Sequence, residues 1–359
     1  MSKKLFGAFV ALLTWNGTAA AETCTLPKIA DTAALEQLPG ADLMTVPVAI
    51  NGAAKHFLLD IGTNPTEVSQ ATVAQLGLPQ SRKLGETIGG GGTSMGGLTS
   101  MGRPDLESLT NGGLSNVPVY DAGNRQGRGA LNNSVRIASF TIGGATAHNM
   151  VFLVANDSRM GSQSKPYDGL LTGDFFKQYD VEIDFGNKQI NWLTPTECID
   201  PNQVVFWSHR EVAAVPMTIS PGGKIQVPVT VNGHSINAVV DTSSAQTIVR
   251  RDVAELILDL KPDTPEMMPD GDLKDSLGAQ VYRHTFPQMA FEGVVATNVP
   301  ALIETNSMIQ NSSREKVLGS QAQMTGARIP DITIGMDVLR QLHLYVVFGQ
   351  SKLYVTAAQ

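Results

Sequence analysis

The sequence predicts an all-β protein built from two tandem, duplicated lobes. Three observations carry this expectation. Glycine and proline are plentiful, 35 and 19 of 359 residues, and they punctuate short apolar runs, as in turn-rich sheets rather than helical bundles. A hairpin-like phrase at 46–63, VPVAINGAAKHFLLDIGT, returns at 227–244 as VPVTVNGHSINAVVDTSS. Further matching segments follow each copy in the same order, and a period this long indicates two duplicated domains rather than a solenoid.

In chain order, residues 1–21 read as an export signal. Lys3 and Lys4 precede an apolar run from Leu5 to Leu13, and Ala19-Ala20-Ala21 offers small residues for cleavage. The run is shorter than the roughly 20 residues a spanning helix needs, and no later stretch is long enough, so no membrane span is expected after cleavage. The mature chain is expected in the periplasm or outside the cell. Such a compartment is oxidising, and Cys24 and Cys198 are the two cysteines. We expect them to form a disulfide rather than two separate buried thiols, closing a loop worth up to about 5 kcal/mol by chain entropy, less any strain.

Within each phrase, Val46, Pro47, Val48, Asn51, Gly52 and Asp60 recur 181 residues later as Val227, Pro228, Val229, Asn232, Gly233 and Asp241. This reads as strand, Asn-Gly turn, and a second strand ending in Asp. A short helix follows each time, SQATVAQLGL with Ser69 as N-cap and Gly77 as stop, and RRDVAELIL with a weaker cap. Residues 136–154 then parallel 284–303, with Gly144 matching Gly293 and Asn149 matching Asn298. Finally 170–186 parallels 333–349, where Asp174 matches Asp337. The expected organisation is a signal at 1–21, a first lobe at 22–196, a connection at 197–216 and a second lobe at 217–359. With 42% hydrophobic residues, each lobe can bury a core. The net charge of −7 and the lack of a Lys/Arg cluster argue against nucleic acid.

A single Asp at a strand end is ordinary turn chemistry. Duplication changes its meaning, because lobes packed about a pseudo-twofold axis bring equivalent loops together. Asp60 and Asp241 would then face each other, sharing a proton and activating a water for amide hydrolysis. The residues after them, Ile61-Gly62-Thr63 and Thr242-Ser243-Ser244, include short hydroxyls able to bond a carboxylate.

These motifs resemble the retropepsin-like aspartic peptidases. Leu58-Leu59-Asp60-Ile61-Gly62-Thr63 and Val239-Val240-Asp241-Thr242-Ser243-Ser244 are similar to the family's apolar-apolar-Asp-Thr/Ser-Gly motif. Thr333-Ile334-Gly335-Met336-Asp337 and Leu170-Leu171-Thr172-Gly173-Asp174 resemble its later apolar-apolar-Gly element. Ile61, Ser243 and Thr172 depart from that pattern. The resemblance implies a bilobal all-β fold of the retropepsin or pepsin type, a cleft between the lobes and a hairpin flap. It implies Asp60 and Asp241 as the catalytic pair, with Gly62, Thr63, Thr242, Ser243 and Ser244 supporting their loops.

Other signals are weaker. Gly-Thr-Ser-Met-Gly at 92–96 matches a nucleophile elbow around Ser94, but it lacks the required flanking strand and helix. GGGG at 89–92 lacks the Gly-Lys-Ser/Thr of a phosphate loop. The six histidines never fall in an H-E-x-x-H pattern, so neither metal nor cofactor is expected. Asp174 and Asp337 read as favourable charges at helix starts. The expected function is an exported, monomeric aspartic endopeptidase acting on peptide or protein substrate. The alternative is a catalytically inactive relative that binds peptides in the same groove.

Overall fold

The structure, a computed structural model, describes residues 24–61, 66–81, 133–155, 166–176, 179–207, 212–220, 224–275, 278–305 and 330–358. The export signal expected at 1–21, the glycine-rich stretch with Ser94, and Gly62 and Thr63, expected to support the Asp60 loop, lie outside them.

Each half of the chain folds into an eight-stranded sheet, and the strands follow one order in both. In the first lobe it runs Glu36–Gln37, Met44–Ile50, Ala53–Asp60, Gly169–Thr172, Glu67–Val68, Ala145–Val154, Ser134–Ile142, Gln80–Ser81. In the second it runs Thr218–Ile219, Ile225–Val231, His234–Val240, Ile332–Ile334, Ile248–Arg250, Val294–Glu304, Gln280–Phe291, Met268–Lys274. The second and seventh strands of each series also pair, so six strands close into a barrel around an apolar interior. The fold is all-β, bilobal and duplicated.

Local chemistry explains the repeated corners. Asn51 and Gly52 have φ of 51° and 82°, and Asn232 and Gly233 have 49° and 81°, the left-handed pair that a tight two-residue hairpin needs. Asn149 and Asn298 also share a left-handed backbone, at 55° and 53°, kinking the same long strand in each lobe. Ser69 caps helix Gln70–Gln75 by accepting a bond from the Thr72 amide, and Gly77 turns the chain out at φ 59°. Helix Arg251–Leu256 begins without a side-chain cap, as its sequence implies.

A third sheet joins the lobes. Its six strands run Ile29–Ala34, Gln189–Leu193, Asp180–Asp184, Leu342–Val347, Lys352–Ala357 and Ala213–Pro216. At its centre Glu182 stands opposite Tyr345, its own equivalent in the second copy. Contact between equivalent residues marks a pseudo-twofold axis through the middle of the sheet. On one face Val181, Ile183, Leu344 and Val346 pack into the barrel cores. The other face carries Asp180, Glu182, Asp184, His343 and Tyr345, all buried. Cys198, Val204, Val205 and Trp207 cover this side.

The cover belongs to the stretch expected to connect the lobes. It contains helix Pro201–Val204, whose N-cap Asp200 accepts from the Asn202 amide, and strand Ala213–Pro216 of the shared sheet. Cys24 and Cys198 form the expected disulfide, pinning the start of the described chain to this cover across 174 residues. No helix among the described residues is long and apolar enough to cross a membrane.

Candidate active site

Asp60 ends strand Ala53–Asp60, which is clamped between Met44–Ile50 and Gly169–Thr172, with Asp60 itself opposite Thr172. Asp241 follows strand His234–Val240 at the equivalent place, its amide donating to the Ile334 carbonyl. Apolar residues before each aspartate are buried on both faces of the barrel wall: Phe57, Leu58 and Leu59 in one lobe, Ala238, Val239 and Val240 in the other. The strands are therefore held firmly, and their ends are fixed in space.

The two loops are bonded to each other across the lobes. The Ile61 amide donates to Thr242 Oγ1 at 3.0 Å, and the same hydroxyl donates to the Leu59 carbonyl at 2.8 Å. Ile61 and Thr242 are again repeat equivalents in contact, so the axis that passes Glu182 and Tyr345 passes here too. Asp60 and Asp241, one residue before each, straddle it. Thr242 is fully buried and Asp60 nearly so, while Asp241 is partly open. The reciprocal half of the grip has no chemistry to make it, because Ile61 is apolar and sits in the core.

Ser243 serves Asp241 directly. Its amide and its hydroxyl both donate to Asp241 Oδ1, at 2.9 and 2.8 Å. Its side chain costs no backbone strain, since Ser243 is absent from the residues with left-handed φ. Ser244 bonds backbone: its hydroxyl donates to the Gln246 carbonyl at 2.7 Å, and its carbonyl accepts from the Met336 amide. It braces the loop rather than the carboxylate.

Behind each aspartate loop lies a second repeated device. Thr247 Oγ1 donates to Asp337 Oδ1 at 2.7 Å, and the Thr247 amide donates to Asp337 Oδ2 at 3.0 Å. Asp337 thus clamps the loop, a role beyond the helix-start charge its sequence position suggests. Thr247 Oγ1 also accepts from the Gly335 amide at 3.1 Å. In the first lobe Thr66, the equivalent of Thr247, bonds Thr172, the equivalent of Gly335, hydroxyl to hydroxyl at 3.1 Å. A side chain at Gly335 would meet the Gln246 carbonyl carbon and oxygen at 2.4 Å. The first lobe accommodates a side chain at the equivalent place, and the Thr172 hydroxyl partners Thr66.

Sequence reasoning missed two further features. Asp168 and Asp331, also repeat equivalents, lock strands on either side: Asp168 accepts from the His56 amide, and Asp331 from the Asn237 amide. Both sit at the same 163-residue offset as Asp174 and Asp337, so extending that matched segment two residues toward its start would have found them. Tyr167, half-buried beside Asp168, feels Asp60. Burial first, and the Asp60 charge second, push its phenol above the ordinary value, so it remains an O–H donor.

Fold and site together define a two-lobed β protein of the aspartic-peptidase type. Residues 227–338 match the model of a family described as aspartyl protease. The match lies within the second lobe, and the first lobe repeats the strand order of the second. This match supports the retropepsin-like resemblance of the sequence. None of the curated proteins compared matches the chain. Among solved structures, the chain is similar to conglutin gamma, a basic 7S globulin from lupine seeds, at 10% identity and a TM-score of 0.45, covering 91% of this chain and 94% of that one. It is similar to basic 7S globulin from soybean, at 11% identity and a TM-score of 0.43, covering 92% and 95%. A retropepsin-like aspartic protease from Rickettsia conorii aligns at 14% identity and a TM-score of 0.29, covering 43% of this chain and 98% of that one.

Proposed function

We propose that this chain is an exported aspartic endopeptidase in which Asp60 and Asp241 share one proton. Two carboxylates brought close cannot both ionise, so one stays protonated. The ionised member takes a proton from a trapped water, and the protonated member donates to the scissile carbonyl. The observation that supports this best is the Thr242 hydroxyl, bonded to both residues that flank Asp60 while standing next to Asp241. No covalent intermediate or cofactor enters the scheme. The substrate is a peptide or unfolded protein segment, the setting is the cell envelope or beyond, and the working unit is a monomer carrying both aspartates.

The test is incubation of the mature chain with a diverse peptide mixture from pH 3 to 7, with cleavage read by mass spectrometry. Asp60→Asn and Asp241→Asn should each lower cleavage by about 100-fold or more. Cleavage unaffected by both substitutions would overturn the proposal. One observation favours a second reading, that of a peptide binder without hydrolysis: the grip is one-sided, because Ile61 supplies no hydroxyl. Saturable peptide binding by strand addition, with every bound peptide recovered intact, would mark that outcome.

A further inference from the structure

On the covered face of the shared sheet, we propose that His343 Nδ1 and Asp184 ligate a divalent cation of the zinc class, with Glu182 fixing the imidazole from its other nitrogen. This site does not depend on the proteolytic reading. His343 stands directly opposite Asp184 across the two central strands, with Glu182 on the same face. All three side chains are at most 4% exposed, and one donor atom from each lies within 4.8 Å of the others.

The ring is oriented as a metal ligand requires. His343 Nε2 meets Glu182 Oε1 at 2.7 Å, and Glu182 Oε2 accepts from Asn191 Nδ2 at 3.1 Å. Asn191 Oδ1 in turn accepts from Thr32 Oγ1 at 2.6 Å. A carboxylate that fixes one ring nitrogen and leaves the other for the ion is the usual support behind a metal-bound histidine. The other nitrogen, Nδ1, is buried and has no hydrogen-bond partner among the described residues. It lies 3.8 Å from Asp184 Oδ2, too far for a hydrogen bond. Two donors each about 2.0–2.2 Å from one zinc ion can stand up to roughly 4 Å apart, so this gap suits a shared ion. Asn187 holds the Asp184 carboxylate in place through its amide and its side chain, at 2.9 and 2.7 Å.

Charge points the same way. Among the described residues, His343 is the ion-pair partner of both Glu182 and Asp184, one imidazole for two buried carboxylates. Buried charges need pairing or a metal, and a dication would neutralise both while the ring stays neutral. An imidazole among few donors selects zinc over calcium or magnesium. Trp207 stacks on the His343 ring at 4.2 Å and 13°, and its Nε1 donates to Thr356 Oγ1 at 3.1 Å. With that lid in place the ion must enter before the cover closes, during folding.

The experiment follows from this order of events. The mature chain is refolded from denaturant with zinc sulfate or with EDTA, passed through a chelator-equilibrated column, and its metal content measured by mass spectrometry. Wild type refolded with zinc should retain about one equivalent and melt higher than the EDTA-refolded chain. Asp184→Asn and His343→Gln should retain about a tenth or less, and Glu182→Gln should bind about 10–100-fold more weakly. Wild type that refolds equally well in EDTA and carries no stoichiometric zinc would overturn the proposal without recourse to any variant. Equal zinc retention by folded variants would overturn it as well.

Discussion

At the scale of single residues, Thr242 is the hinge of the midline. Its hydroxyl accepts from one residue and donates to another of the opposite lobe, both buried. Thr242→Val keeps the shape but removes these bonds and strands the Ile61 amide and the Leu59 carbonyl. The expected cost is about 1–3 kcal/mol in urea denaturation, with peptide cleavage reduced in parallel. Much at this scale was legible beforehand. The Ser69 cap and both Asn-Gly turns followed from local chemistry, the disulfide from there being two cysteines, and the place of Asp60 and Asp241 at equivalent strand ends from the repeat. The partner of the Ser244 hydroxyl was not legible, because a hydroxyl beside a carboxylate can bond either the carboxylate or a backbone carbonyl. Only the path of the chain decides which. Nor was the His343 cluster, since its members are about 160 residues apart and no spacing rule connects them.

At the scale of elements, the repeated clamps show what each lobe needs. Gly335→Ala should disrupt the second lobe, because its Cβ would fall 2.4 Å from the Gln246 backbone. The expected outcome is a large drop in melting temperature with loss of the folded signal in circular dichroism. Thr172→Ala in the first lobe should cost only about 1 kcal/mol, the worth of its hydroxyl bonds. The apolar-apolar-Gly pattern made Thr172 look out of place, yet Thr66 supplies the partner it requires.

Asp168 adds a pH dependence at the same scale. Partial burial pushes its carboxyl pKa up, but bonds from the His56 amide, the Thr72 hydroxyl and the Lys55 ammonium outweigh that effect. The net position is below the ordinary 3.8. A carboxylate lowered in the folded state stabilises it above the unfolded value, and the benefit fades as pH falls through the lowered value. Asp168→Asn should therefore be less stable than wild type near neutrality and lose less further stability below about pH 3.8, measured by urea titration at each pH.

At the scale of the whole molecule, the disulfide and the shared sheet hold the halves together. Replacing Cys24 and Cys198 by serine opens a 174-residue loop and should cost about 5 kcal/mol, read from denaturant midpoints under oxidising conditions. The duplication was readable in the offsets of matching segments, so the bilobal architecture followed before any coordinates. The shared sheet was not readable, because its strands come from both ends of each half and pair only once the lobes meet. Its centre also explains something about joining the halves in one chain. Two identical subunits related by true symmetry must set every on-axis residue against its own copy: glutamate on glutamate, threonine on threonine. A single polypeptide escapes that rule, and here Glu182 meets Tyr345 while Thr242 meets Ile61. The halves have thus become complementary and can no longer be exchanged. A protein assembled from two first halves would crowd acidic side chains along the seam, and one assembled from two second halves would leave the seam without a carboxylate for its imidazole.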